Sequence, residues 1–200
     1  MARQVDGVWL PERVSGHPAL ELNNTVGGWG YAEPREYLVD YGALIVLARD
    51  IELVSPADAF ALLTTTQRSP AQAQAALREV KQLRSVLHAA MVDDSADAAG
   101  QLHPFVTRAV RASRYVRDEA SALRLDGGAG LRMPLHRFTL SLVTLLERYP
   151  RGAIRSCADN ACGWLFLDPS GRRRWCEMAV CGNRAKARRY AQRHRAVETR

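Results

Sequence analysis

The chain has 200 residues, 47% of them hydrophobic and 24% charged, with a formal net charge of +7. That length holds one ordinary domain, or one core with a small appended module, and the composition excludes a disordered chain. No apolar run reaches the roughly 18 residues of a membrane span, and the opening residues 1–6 lack the apolar stretch of a signal peptide. A cytoplasmic protein without a membrane partner is expected.

The first 30 residues read as irregular structure with one short strand at most. Trp9, Leu10, Leu20, Leu22 and Val26 are apolar, and Gly27, Gly28 and Gly30 interrupt regular structure. Pro34 can open a helix, because Tyr37, Leu38, Tyr41, Leu44, Ile45 and Ala48 recur at helical spacing. Ser55-Pro56-Ala57-Asp58 starts a short helix through Leu63 with a cap hydroxyl and a first-turn proline. Ser69-Pro70 repeats that signal for a longer helix carrying Leu77, Val80, Leu83, Arg84 and Leu87. Val92 to Gly100 is a polar break. From Pro104 a helix is expected to place Phe105, Ala109, Ala112, Val116, Ala120 and Leu123 on one face. Leu123–Leu125 and Leu131–Met133 flank a glycine-rich turn and pair as a hairpin or form a plain loop. A last core helix spans about Pro134 to Arg148, and Tyr149-Pro150-Arg151-Gly152 ends the helical region.

All the cysteines lie beyond that boundary, as Cys157-x4-Cys162-x13-Cys176-x4-Cys181. Two short-spaced pairs can close a tetrahedral thiolate shell around one structural Zn2+. In a reducing compartment this outranks a disulfide reading, and four thiolates leave no open position for a catalytic metal. Cys162–Asp168 suggests a knuckle leading into a strand, Pro169-Ser170-Gly171 a turn, and Arg172–Cys176 the returning strand. Cys181 would open the final helix. The expected class is mainly α: a helical domain with a small β element over residues 1–150, and a treble-clef-like zinc finger over 151–200.

Charge follows the same division. Residues 171–200 carry ten basic and two acidic groups, a net of +8, and the other 170 residues carry a net of −1. With 26 arginines against two lysines, a GC-rich genome accounts for the choice of arginine, but not for the missing acids. The asymmetry favours a polyanion bound at this end. The candidate DNA contacts are Arg172, Arg173, Arg174, Asn183, Arg184, Lys186, Arg188, Arg189 and Arg193. On a helical wheel Arg184, Arg188 and Arg195 fall within about 40° of one another, while Lys186, Arg189 and Arg193 cluster near 140° to 200°. Asn183 and Arg184 are candidates for base edges, although Asn183 serves equally well to cap local backbone. Trp164, Phe166 and Trp175 either stack on bases of a single strand or form the miniature core of the finger.

The run Cys157-x4-Cys162, Trp164, Phe166, Asp168, Arg173-Arg174-Trp175-Cys176, Met178 and Cys181-Gly182-Asn183-Arg184-x-Lys186 resembles the CGNR zinc finger family. Proteins with that finger usually carry an N-terminal ABATE domain, described as a stress-induced transcription regulator. Its opening motif resembles a strand ending in an Asn-Thr pair, as in Leu20–Thr25 here, with the polar Asn23 departing from the pattern. The resemblance implies a bacterial transcription factor with an N-terminal sensing or dimerising domain. Double-stranded DNA, a small-molecule effector and a second copy of the chain are then the expected partners.

Asn23, Asn24, Thr25 and Trp29 are candidates to line a ligand pocket, against the plainer reading of a capped strand end. The histidines show no metal spacing, and no catalytic triad, paired carboxylates or nucleotide loop stands out, so an enzyme is not expected. The competing reading is a zinc-dependent RNA-binding or protein-interaction adaptor.

Overall fold

The computed structural model describes residues 2–92, 97, 100–117 and 123–198. It opens with a hairpin of β1 (Ala2–Val5) and β2 (Val8–Pro11), in register from Ala2↔Pro11 to Val5↔Val8. The two-residue turn between them, Asp6-Gly7, takes positive φ at both positions (47° and 78°), which Asp-Gly tolerates and a tight antiparallel turn requires.

Helix α1 (Pro18–Asn23) follows, with its N-cap at His17, whose Nδ1 accepts from the Ala19 amide. The expected strand over Leu20–Thr25 is therefore a helix up to Asn23. Five of its residues, Ala19 to Asn23, are buried, so neither face carries a helical signature. The short strands β3 (Val26–Gly27) and β4 (Arg35–Glu36) pair antiparallel.

Helix α2 (Tyr41–Asp50) begins later than Pro34, because Asp40 caps it, Oδ1 accepting from the Ala43 amide at 2.7 Å. Helix α3 (Pro56–Arg68) opens at the Ser55 cap and runs one and a half turns past Leu63. Helix α4 (Pro70–Val92) buries Ala73, Ala76, Leu77, Val80, Leu83, Arg84 and Leu87 along one side. The polar break expected after Val92 lies mostly outside the described residues.

Helix α5 (His103–Ala112) buries Phe105 and Ala109 and stops at Ala112. Among the described residues the expected continuation to Leu123 does not form, Ala120 lying outside them: Arg114–Arg117 forms β5, paired antiparallel with β6 (Leu123–Asp126). Tyr115 and Val116 favour a strand once a partner is available. That partner comes from beyond residues 118–122, so Leu123–Leu125 pairs backwards in the chain and not with Leu131–Met133. Helix α6 (Met133–Arg148) packs on α5, α1, α4 and α2, and buries Leu135, Phe138, Leu142 and Leu145.

A 3-10 turn, Arg151–Ala153, leads into β7 (Ile154–Ser156), which pairs antiparallel with β8 (Leu165–Leu167). The strand returning to β8 is thus β7; residues 172–176 form no strand. A π-helical turn, Met178–Gly182, then feeds α7 (Asn183–Glu198). The fold is mainly helical, with small two-stranded sheets and a zinc-finger-like C-terminal element.

Alternation along β8 links two cores. Leu165 and Ile154 join the main cluster built from α1, α2, α4 and α6, while Phe166 and Trp164 join a second cluster of Tyr37 and the cysteines. No described helix is long and apolar enough to cross a membrane.

Candidate metal centre and nucleic-acid interface

The knuckle is the turn of the β7–β8 hairpin. The Cys157 amide donates to Trp164 O at 2.9 Å and the Cys162 amide to Asp159 O at 2.7 Å, which brings two thiols to one point. The π-turn supplies the others, as the Cys181 amide donates to Glu177 O at 3.0 Å and curls the chain back towards Cys176. All four Sγ atoms lie within 4.8 Å of one another, buried and without a disulfide. The Cys162–Cys176 and Cys176–Cys181 separations are 3.7 and 3.4 Å. A tetrahedron with spokes of about 2.3 Å has edges of about 3.8 Å, so the cluster has the size of a four-thiolate zinc shell.

Hydrogen bonds from Cys162, Cys176 and Cys181 hold the Cys157 thiol far below its usual range, and those to Cys157 push Cys162 and Cys176 far above it. Thiols this close cannot all ionise unaided; a dication is what allows four thiolates to share the space. The four cysteines are positioned to bind one metal ion, consistent with one structural zinc.

Residues 153–194 match the model of the CGNR zinc finger family. No curated protein matches the chain in a sequence comparison. The four residues for which the finger is named each have a visible task here. Cys181 is a thiol of the cluster. Gly182 has no room for a side chain, since a Cβ would lie 2.3 Å from Met178 Sδ and 3.2 Å from the Trp175 ring. Asn183 Nδ2 donates to Ala179 O at 2.9 Å, binding α7 to the π-turn. Arg184 Nη2 donates to Cys181 Sγ at 3.1 Å and lies 3.0 Å from Asp159 Oδ2, and its Nη1 donates to Tyr31 Oη at 2.9 Å.

The other basic candidates divide in the same way. Arg173 is turned inward, donating to Val14 O, Trp175 O and Cys176 O, while Arg172 and Arg174 are exposed. Arg188 Nη2 donates to Asp159 Oδ1 at 2.9 Å. Lys186, Arg189 and Arg193 are exposed and form no ion pair among the described residues; Arg189 makes only a 3.5 Å contact to Ala185 O. From Lys186 to His194 every residue of α7 is exposed. The finger aromatics are placed as core: Trp164 and Phe166 are buried, Trp164 Nε1 donating to Val26 O at 2.7 Å, and Trp175 is half-buried against them.

The cluster considered for a ligand pocket has a different surrounding. Asn23, Asn24 and Thr25 are completely buried. Asn24 Nδ2 donates to Leu165 O at 3.0 Å, and its Oδ1 accepts from the Leu165 amide at 2.9 Å, so the side chain stands in for a strand neighbour of β8. Asn23 Nδ2 donates to Asn24 Oδ1 at 3.0 Å and to Gly163 O at 3.3 Å. The Trp29 ring stacks on His88 at 3.8 Å, and its amide donates to Cys162 O at 3.2 Å. Gly163 must be glycine, since its φ is +67° and a Cβ would lie 2.4 Å from that of Trp29. Thr25 Oγ1 accepts from Arg84, which is also bound through both terminal nitrogens to Glu36 at 2.8 and 2.7 Å. Burial pushes the Glu36 carboxyl up, but the Arg84 hydrogen bonds and charge, the Leu38 amide and Lys81 together outweigh it and hold that carboxyl below its ordinary range. These residues join the helical region to the finger.

Asp159 escaped the sequence reading. It is the one acid between Cys157 and Cys162, its side chain is 1% exposed, and it meets two arginines of α7. The available signal was a carboxylate inside a knuckle; its partners lie 25 and 29 residues further on.

Proposed function

We propose that this chain is a DNA-binding transcription regulator whose zinc-ordered finger presents α7 to duplex DNA. The observation that carries the reading is α7 itself, a basic helix exposed along Lys186–His194 that starts on the turn holding the thiol cluster. A solvated helix of this kind has no apolar face to bury against its own chain, and its outward cations suit phosphates on a groove wall. Arg172 and Arg174 add exposed positive charge. The role is binding and not catalysis, in the cytoplasm.

The helical region is the regulatory part in this reading, in keeping with its resemblance to the ABATE stress regulators, and it carries the effector response and the dimer contact. One finger offers a small contact area, and a second copy would double it. Burial of Trp164 and Phe166 weighs against the adaptor reading in its single-strand RNA form, because stacking needs accessible rings.

The test is a fluorescence anisotropy titration of the zinc-loaded protein against duplex DNA at two salt concentrations, with a chelated control. Zinc-dependent binding that weakens steeply with salt is the expected result. Absence of binding at full zinc content would overturn the reading.

A further inference from the structure

We infer that Asp159 is a clamp that fixes α7 on the zinc knuckle, and that the helix meets DNA with the face opposite the clamp: Lys186, Arg189, Arg193 and Tyr190. The surface assignment rests on the DNA-binding reading above; the clamp does not. Asp159 is held at both ends of its own residue. Its carbonyl accepts from the Cys162 amide inside the thiol cluster; its buried Oδ1 accepts from Arg188 at 2.9 Å, and its Oδ2 lies 3.0 Å from Arg184 Nη2 as an ion pair. A carboxylate this buried needs its partners, so the two arginines are committed to the protein. They sit one helical turn apart on one side of α7, and that side therefore faces the knuckle.

On the wheel that places Arg184 at zero, Arg189, Arg193, Lys186 and Tyr190 occupy an arc from about 140° to 240°. All four are exposed, and together with Ala187 they line an open concavity along the helix. Tyr190 is 67% exposed and its ring lies 4.2 Å from that of His194. A large ring among cations that form no ion pair with the described residues, on the helix side away from Asp159, suits a base edge or thymine methyl between phosphate contacts. Charge complementarity commits the surface to a duplex with an open major groove. A-form RNA presents a groove that side chains cannot enter.

The experiment compares full-length, zinc-loaded variants on a random-sequence fluorescent duplex over a salt series. Lys186→Ala with Arg189→Ala and Arg193→Ala should flatten the log–log salt slope by about 2.7, the value for three lost phosphate contacts. Arg184→Ala with Arg188→Ala also releases the clamp and should lower affinity, but at full zinc content it should leave the slope within about half a unit of wild type. Tyr190→Ala should weaken binding roughly tenfold at an unchanged slope, because it removes contact without removing charge. A double variant that flattens the slope by about 1.8 while the triple leaves it intact would reverse the two faces and overturn the assignment. Equal or tighter binding to duplex RNA would overturn the groove. Wild-type protein that binds no nucleic acid would overturn the functional reading and the surface assignment together. The clamp has a separate readout without DNA: Asp159→Asn at full zinc content should speed amide hydrogen exchange across 184–190. Unchanged exchange would refute the clamp.

Discussion

Asn24→Ala tests the joint between the helical region and the finger. The Asn24 side chain is buried and satisfies both backbone groups of Leu165, a strand residue with no exposed surface. Alanine would strand one donor and one acceptor where water cannot reach them. Each such group costs about 1–3 kcal/mol, so the variant should lose about 4 kcal/mol. That is a large share of the 5–15 kcal/mol that holds a typical domain together, and about three decades in the folding equilibrium. Urea denaturation of the zinc-loaded protein, followed by tryptophan fluorescence, measures the loss directly. Thr64→Ala is the control, since it removes a side-chain-to-backbone hydrogen bond of 3.0 Å at an exposed site and should cost less than about 0.5 kcal/mol. A loss below about 1 kcal/mol for Asn24→Ala would show that Leu165 finds other partners, and the joint would have to be sought elsewhere.

Zinc removal by a chelator should withdraw binding free energy on the order of 10 kcal/mol and lower the thermal midpoint of the helical region as well, because Ile154 and Leu165 belong to its core; an unchanged midpoint after complete zinc release would refute that coupling. Gly163→Ala should cost at least about 2 kcal/mol, from a φ of +67° and a Cβ placed 2.4 Å from Trp29, and calorimetry should show it. Glu36 should stabilise the fold above the ordinary glutamate pKa of about 4.3 and lose that contribution as the pH falls through its depressed folded value. Glu36→Gln should accordingly flatten the acid limb of the stability curve; an identical acid limb would show that the Arg84 pair contributes nothing.

Local signals carried a good part of this structure. Ser55-Pro56 and Ser69-Pro70 start helices where the capping rule places them, and the four-cysteine spacing leads to one cluster of thiols. What escaped was decided by distant partners. The family resemblance implies a strand over Leu20–Thr25, yet Pro18–Asn23 is a helix buried on every side from Ala19 onward. Arg114–Arg117 has helical spacing with Phe105 and Ala109, but the arrival of Leu123–Asp126 makes a ribbon instead. Asn23 and Asn24 look like ligand-facing amides until Gly163 and Leu165, some 140 residues later, take up their hydrogen bonds. The Asp6-Gly7 turn is a different case: Asp-Gly between Val5 and Val8 is itself a local hairpin signal and needs no distant partner.

The attachment of α7 bears on how that helix forms. Starting a helix is unfavourable because several residues must be ordered for the first hydrogen bond, whereas each later residue adds a bond of its own. The π-turn, Asn183 and the two Asp159 contacts order that first turn in advance, so the stretch beyond Ala185 has only to extend. Its alanines and arginines extend well, but the like charges of Arg189 and Arg193 oppose one another at one-turn spacing, with no Asp159 between them. Helix content there should therefore rise with added salt, which screens that repulsion. On the DNA-binding reading, a polyanion alongside should extend the helix from the part already in place.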